Sequence, residues 1–203
     1  MNRRPNLKKR AAILEAALEE FQLSGYQGAN MDTIAERAQV SKRTVYNHFP
    51  SKQSLFEHIA ETVWEQANAA TQAQFDPSRP IHTQLTDLAR KELALVSDPQ
   101  FLRSTRMLMS ELLNNEAVAQ ATLAKYAEEE SNIALWMAEA AKAQCLNCSP
   151  SEAEQVGKEF HGLVKSLAFW PQLFMGEAPV ATAQHTDVAE KVATMFLSIY
   201  GQH

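Results

Sequence analysis

Residues 30–52 read NMDTIAERAQVSKRTVYNHFPSK, and the reading of this stretch decides the fold. The spacing predicts a short helix from Met31 to about Ala38, with Asn30 in front of it as acceptor for its first free N–H groups. A second helix is expected from Lys42 to Phe49, capped by Ser41 in the same way. Two short helices joined by a tight turn make the outline of a helix-turn-helix. Ile34, Ala35, Ala38 and Val40 can pack inward, and Ala35 is small enough for a close helix crossing. Val45 and Phe49, four residues apart, form the buried stripe of the next helix. That leaves Lys42, Arg43, Thr44, Tyr46, Asn47 and His48 outside. The face they make is full of donors and free of carboxylates, which suits phosphate oxygens and base edges. The first turn adds unpaired N–H groups and the positive end of a dipole. The bland alternative is a solvated basic helix surface.

Upstream, Leu7 to Ser24 carries Ile13, Leu14, Ala17, Leu18 and Phe21 on one helical face, and Gly25 is placed to end it. The first ten residues hold Arg3, Arg4, Lys8, Lys9 and Arg10, either an arm toward phosphate or the minor groove, or a solvated tail. Downstream, Pro50-Ser51 breaks and restarts the chain. A long helix is expected from about Lys52 to Gln74, with Leu55, Phe56, Ile59, Val63 and Trp64 on its apolar side. Further helices are expected at about 80–96, 99–113, 116–146, 151–175 and 184–200. β-branched alternation is absent, so the expected fold is all-α, with about nine helices. The expected division is a basic helix-turn-helix domain at 1–52 and an acidic helical domain at 53–203.

Charge supports that division. The 203 residues carry a net −5, but residues 1–52 hold nine Lys/Arg against five Asp/Glu. The remainder holds ten basic and nineteen acidic residues. A basic head can approach phosphate while the acidic body is held off the duplex. No apolar run approaches the length of about 20 residues needed to span a bilayer, and no secretory leader is read, so the cytoplasm is the expected compartment.

The stretch ILEAALEEFQLSGYQGANMDTIAERAQVSKRTVYNHFPSKQSLFEHI resembles the N-terminal DNA-binding region of the TetR/AcrR family of bacterial regulators. Its most specific part is Val40-Ser41, Thr44-Val45-Tyr46, His48-Phe49 and Lys52 to Phe56. Residues 101–120, FLRSTRMLMSELLNNEAVAQ, are similar to the AefR-like type of C-terminal domain. The resemblance implies that Lys42, Arg43 and Thr44 touch bases and nearby phosphates. It implies that Tyr46, His48 and Lys52 meet the phosphate backbone. The turn departs from the family at Gln39, where Gly is common; a positive φ there would cost Gln about 1 kcal/mol.

The resemblance further implies a dimeric sensor domain around a small-molecule pocket, and a repressor released from a palindromic operator by its ligand. Phe160, Leu163, Val164, Leu167, Trp170, Leu173 and Phe174 make one long apolar stripe; Val188, Val192, Met195, Phe196 and Ile199 make another. From two subunits these last helices suit a twofold four-helix interface; the alternative is that they only pack on their own core. Candidate pocket residues are Trp64, Phe101, Arg103, Met107, Trp136, His161 and Trp170, although aromatic and Met residues at helical spacing are usually plain core. An inward Arg would favour an anionic effector, an inward Glu a cationic one.

Cys145 and Cys148 form a C-x-x-C, too few ligands alone for structural zinc and outside any βαβ setting. None of the six histidines follows a Glu by three residues, and no Walker loop, nucleophile elbow or H-E-x-x-H occurs. Neither catalysis nor a cofactor or metal is therefore expected. A DNA-binding dimer without any effector is the remaining alternative.

Overall fold

The computed structural model describes residues 3–126 and 131–202. Among the described residues every regular element is helical: α1 (Arg3–Gly28), α2 (Met31–Arg37), α3 (Lys42–His48), α4 (Lys52–Ala70), α5 (Ile81–Val96) and α6 (Pro99–Asn114) come first. Then follow α7 (Glu116–Tyr126), α8 (Asn132–Lys142), α9 (Ala153–Val164), α10 (Trp170–Phe174) and α11 (His185–Tyr200). A π turn, Lys165–Phe169, makes α9 and α10 one continuous run. The all-α expectation is met. Of the basic tail, Met1 and Asn2 lie outside the described residues, and the chain is already helical from Arg3.

Helix boundaries differ from the sequence reading in α1, in α4 and over 116–146. The region 116–146 is not one helix. Ser131 is extended (φ −80°, ψ 140°) and its side chain accepts the Ala134 N–H, so a new helix starts there. That helix ends at Lys142 because Gln144 takes φ +56°, letting the Cys145 N–H reach the Ala140 carbonyl at 2.9 Å and the Gln144 N–H reach Ala141 at 2.9 Å. This paired closure normally uses Gly, so no glycine marked it. α4 stops at Ala70 and does not reach Gln74. Its end is held from outside: the Asn132 N–H and amide donate to the side chain and carbonyl of Asn68, each at 2.9 Å.

The chain falls into two compact units, Met1–Val63 with Arg103–Ala127, and Trp64–Leu102 with Glu128–His203. α4 and α6 each run through both, so these units cut the chain elsewhere than the division expected after residue 52. In the first unit, Ile13, Ala17, Leu18 and Phe21 of α1 pack with Ile34, Ala35, Val45, Phe49, Leu55 and Phe56 in one apolar cluster. Met107 and Leu108 of α6 complete that cluster. Gly25 does not end α1 as expected: the helix bends there (φ +69°), a conformation that only glycine adopts freely, and runs on to Gly28. Tyr26 beyond the bend turns back onto Phe21 and Phe56, with ring centroids 5.5 and 5.2 Å away.

In the second unit, α11 pairs with α5 and α8 with α9. Phe160 meets Phe196 edge-on at 5.4 Å between α9 and α11. α8 and α9 come close because Gly157 has no side chain; a Cβ there would lie 3.0 Å from Ile133 Cγ2. Each apolar stripe splits between two environments. Phe160, Val164, Leu173, Val192 and Phe196 are buried, whereas Phe174, Met195 and Ile199 face outward.

Candidate nucleic-acid interface

The helix-turn-helix is built by caps. Asn30 Oδ1 accepts the Asp32 N–H at 2.8 Å and starts α2. α2 closes through Gln39, which takes φ +53°. The Gln39 N–H then donates to the Glu36 carbonyl and the Val40 N–H to Ala35, both at 3.0 Å. These bonds satisfy carbonyls that a helix end otherwise leaves bare and reverse the chain within three residues. Ser41 Oγ then accepts the Thr44 N–H at 3.2 Å and shares a 2.8 Å hydrogen bond with the Thr44 hydroxyl, which starts α3. Val45 and Phe49 are buried, so the outward side of α3 is set by period alone. Lys42, Arg43, Tyr46 and Asn47 are exposed on it, with Thr44 and His48 half-buried.

The structure adds neighbours that the sequence reading did not include. α3 carries no acid, but Asp32 of α2 holds the Lys42 ammonium at 2.6 Å. Arg37 bonds the buried Glu20 carboxylate at 3.2 Å and lies 3.8 Å from Glu19, tying α2 to α1. Lys52 starts α4 behind a reciprocal cap between Ser51 and Ser54. Its ammonium donates to the carbonyls of Gln27 and Ala29 at 2.8 and 3.2 Å, and stands 4.9 Å from the centre of the Tyr26 ring. Burial, followed by the carboxylates of Glu111 and Glu57, pushes the Tyr26 phenol above its ordinary range.

Arg10 braces α3 from below. Its guanidinium sits 4.9 Å over the Phe49 ring and donates to His58 Nε2 at 2.7 Å. Arg has no acceptor, so Nε2 accepts and the ring's N–H is Nδ1–H, which donates to Glu61 at 3.2 Å. That hydrogen bond, helped by Lys125 at 3.6 Å, holds the Glu61 carboxyl below the usual carboxylate range.

The seven residues expected at an effector pocket divide between the units. Met107 is buried in the apolar cluster of the first unit, and Arg103 is exposed with its guanidinium 3.7 Å from Glu15. In the second unit, Phe101 lies 6.4 Å from Phe169, which touches Trp170 at 4.8 Å. Trp136 is buried edge-on to Phe75 at 5.3 Å. Trp64, on α4, is half-exposed. His161 Nδ1 bonds Glu92 at 2.8 Å, and Glu92 is buried. Glu92 was missed by the sequence reading, yet it is legible: it stands among Leu85, Leu88, Ala89, Leu93 and Val96 on the apolar face of α5. Cys145 and Cys148 are both free thiols, and burial raises that of Cys148.

An all-helical chain that opens with a capped helix-turn-helix and carries a donor-rich recognition helix is, by class, a DNA-binding transcription regulator. Residues 13–59 match the family described as bacterial regulatory proteins, tetR family, and residues 83–202 match the AefR-like transcriptional repressor, C-terminal domain. The second match alone covers more than half of the chain, and the chain belongs to the TetR family. A TetR family transcriptional regulator from Pseudomonas syringae pv. tomato str. DC3000 is 32% identical, with a TM-score of 0.82 over 96% of this chain and 97% of that one. The HTH-type transcriptional regulator YhgD of Bacillus subtilis (strain 168) is 34% identical over 77 residues, 38% of this chain and 40% of that protein. The HTH-type transcriptional activator FasR of Mycolicibacterium smegmatis is 49% identical over 55 residues, 27% of this chain and 25% of FasR. The chain thus spans less than half the length of these two curated relatives. No helix is long and apolar enough to cross a membrane among the described residues.

Proposed function

We propose that this regulator acts as a homodimeric repressor that leaves a palindromic operator when a small molecule binds. The observation that carries the DNA-reading part is the α3 face, where Val45 and Phe49 are buried and Lys42, Arg43, Thr44, Tyr46, Asn47 and His48 are turned outward or half-buried. Lys42, Arg43 and Thr44 read bases and nearby phosphates; Tyr46, Asn47 and His48 set the register on the backbone. Lys52, the first residue of α4, meets the phosphate backbone beside them.

The dimer forms through the outward halves of the last two helices. Phe174, Met195 and Ile199 are 61%, 40% and 67% exposed, and apolar side chains of this size grouped on terminal helices favour a partner. For the effector site we favour the second unit. There the half-buried His161 bonds the buried Glu92 at 2.8 Å and offers polar anchorage, with Phe101, Trp136 and Trp170 of the same unit as candidate apolar lining. Effector binding favours one placement of α4, which is covalently continuous from one unit into the other. Moving it alters the spacing of the two recognition helices, and an operator with fixed half-sites no longer fits. The cytoplasm, where the chromosome is, is the proposed compartment. An effector-free DNA-binding dimer remains the competing reading.

The test is selection from genomic fragments at about 100 mM salt, where backbone affinity alone is weakened. Enrichment of one palindromic site supports the reading; recovery of unrelated fragments at that salt and below refutes it. A thermal-shift screen of metabolites then separates the ligand-released repressor from the effector-free dimer, because a specific ligand raises the melting temperature by mass action.

A further inference from the structure

α4 and α7 both face a groove of about 300 Å³ that lies wholly within the first unit. From α4 it takes Gln53, Phe56, Glu57 and Ala60, spaced three and four apart on one helix face. From α7 it takes Ala117, Ala121 and Lys125, again four apart. The space is open because small side chains stand where two helices otherwise interdigitate, Ala60 on one side and Ala117 and Ala121 on the other. Small organic molecules occupy pockets of about 300–1,000 Å³, and this one is at the lower end. Its lining is chemically one-sided. Three rings contribute, those of Tyr26, Phe56 and Tyr126, and two charged side chains, Glu57 and Lys125. Lys125 brings its own counter-charge, Glu61 at 3.6 Å. The Glu57 carboxylate accepts the Gln53 amide at 2.8 Å and, among the described residues, pairs with no Lys or Arg. One negative charge is thus left over beside ring faces that themselves attract cations. The attraction is visible within the chain: ammonium groups stand 4.9 Å from the centre of the Tyr26 ring and 5.5 Å from that of Tyr126.

We propose that this groove binds a small organic monocation, an ammonium group carried on an aromatic or alkyl body. The body lies on Phe56 between the alanines, and the charge stands at Glu57. An anion is turned away by the same carboxylate. A bare metal ion finds too few oxygens, since Glu57 and Glu61 are the only carboxylates at hand and Glu61 is taken by Lys125. The site belongs to the DNA-reading unit and shares no residue with the effector site favoured in the second unit. Its occupant touches Tyr26 and Phe56, whose rings pack the end of α1 on α4 at 5.2 Å.

Benzyltrimethylammonium is titrated into the full chain at constant ionic strength and followed by amide chemical shifts. Benzyl alcohol and benzenesulfonate serve as its neutral and anionic counterparts. The expected result is saturable binding of the cation with a Kd of roughly 1 mM or tighter, and no saturation by either counterpart. The shifts should concentrate in residues 53–60 and 117–126. Glu57→Gln keeps the size and removes the charge, and should weaken the cation by about threefold or more. Ala121→Leu fills the groove from an exposed position of α7 where leucine is a good helix former, and should abolish binding with the fold intact. Circular dichroism melting checks that fold, and Ala117→Leu is the second filling variant should the first unfold. Failure of the cation to saturate would overturn the proposal. So would shifts that map elsewhere, benzenesulfonate binding as tightly as the cation, or an affinity unmoved by both Glu57→Gln and the filling variant. None of these readouts uses DNA, so they stand apart from the success or failure of the repressor reading.

Discussion

Gln39 occupies the left-handed region at φ +53°, where a Cβ crowds the backbone and glycine is at ease. For an L-residue that conformation costs roughly 1–2 kcal/mol. Replacing it with glycine removes the strain and gives back about 0.5–1 kcal/mol through the greater freedom of glycine in the unfolded chain. Gln39→Gly should therefore stabilise the protein by about 0.5–1 kcal/mol. At roughly 2–4 °C per kcal/mol for a chain of this size, the midpoint should rise by about 1–4 °C. Gln39→Val should fall on the other side of wild type, because β-branching makes a positive φ worse. Gln144 closes α8 with φ +56° and the same pair of hydrogen bonds, so Gln144→Gly is an independent repeat of the experiment in the second unit. Circular dichroism at 222 nm, with urea unfolding as a second probe, reads both. If Gln39→Gly melts at or below wild type while Gln39→Val is neutral, the cap at residue 39 does not hold the turn as described.

Thr44→Ala and Lys42→Ala should change which bases are preferred in a randomised-site selection, whereas Tyr46→Phe should weaken all sequences similarly; altered preference from Tyr46→Phe would refute the phosphate assignment. Asp32→Asn releases Lys42 from an exposed ion pair worth only about 0–1 kcal/mol, so stability should hold while affinity for random duplex rises. Gly157→Ala should fall short of the gain of about 0.5–1 kcal/mol that replacing a helical glycine by alanine brings, since the added carbon meets Ile133 Cγ2 at 3.0 Å; the full gain in urea unfolding would mean that Ile133 gives way freely. The Glu159 carboxylate accepts the Tyr200 hydroxyl at 2.5 Å and pushes that phenol up to about 12. The raised value favours the neutral phenol in the folded state, so its stabilisation is complete below the unfolded value near 10 and is lost as pH rises toward about 12. A 295 nm titration should show a late tyrosine step that Tyr200→Phe removes.

The fold class, the DNA-reading motif and most helix starts were legible in the sequence, because they depend on neighbours within four residues. Asn30 and Ser41 cap the helices they precede, and the interval between Val45 and Phe49 decides which side of α3 faces out. Helix ends set by glutamine were not legible, since Gln39 and Gln144 carry no mark of a positive φ; only a familiar pattern drew notice to the first. Tertiary structure alone decided the partners of the charged residues. Asp32 reaches Lys42 across ten positions, Lys52 reaches Gln27 across twenty-five, and Glu92 reaches His161 across sixty-nine. It also placed Met107, expected at a ligand pocket, in the apolar cluster of the first unit. The physical reason is range: capping, turn chemistry and helical period act over one turn of chain. Which distant carbonyl or carboxylate meets a long flexible cation depends on how the helices come to rest against one another.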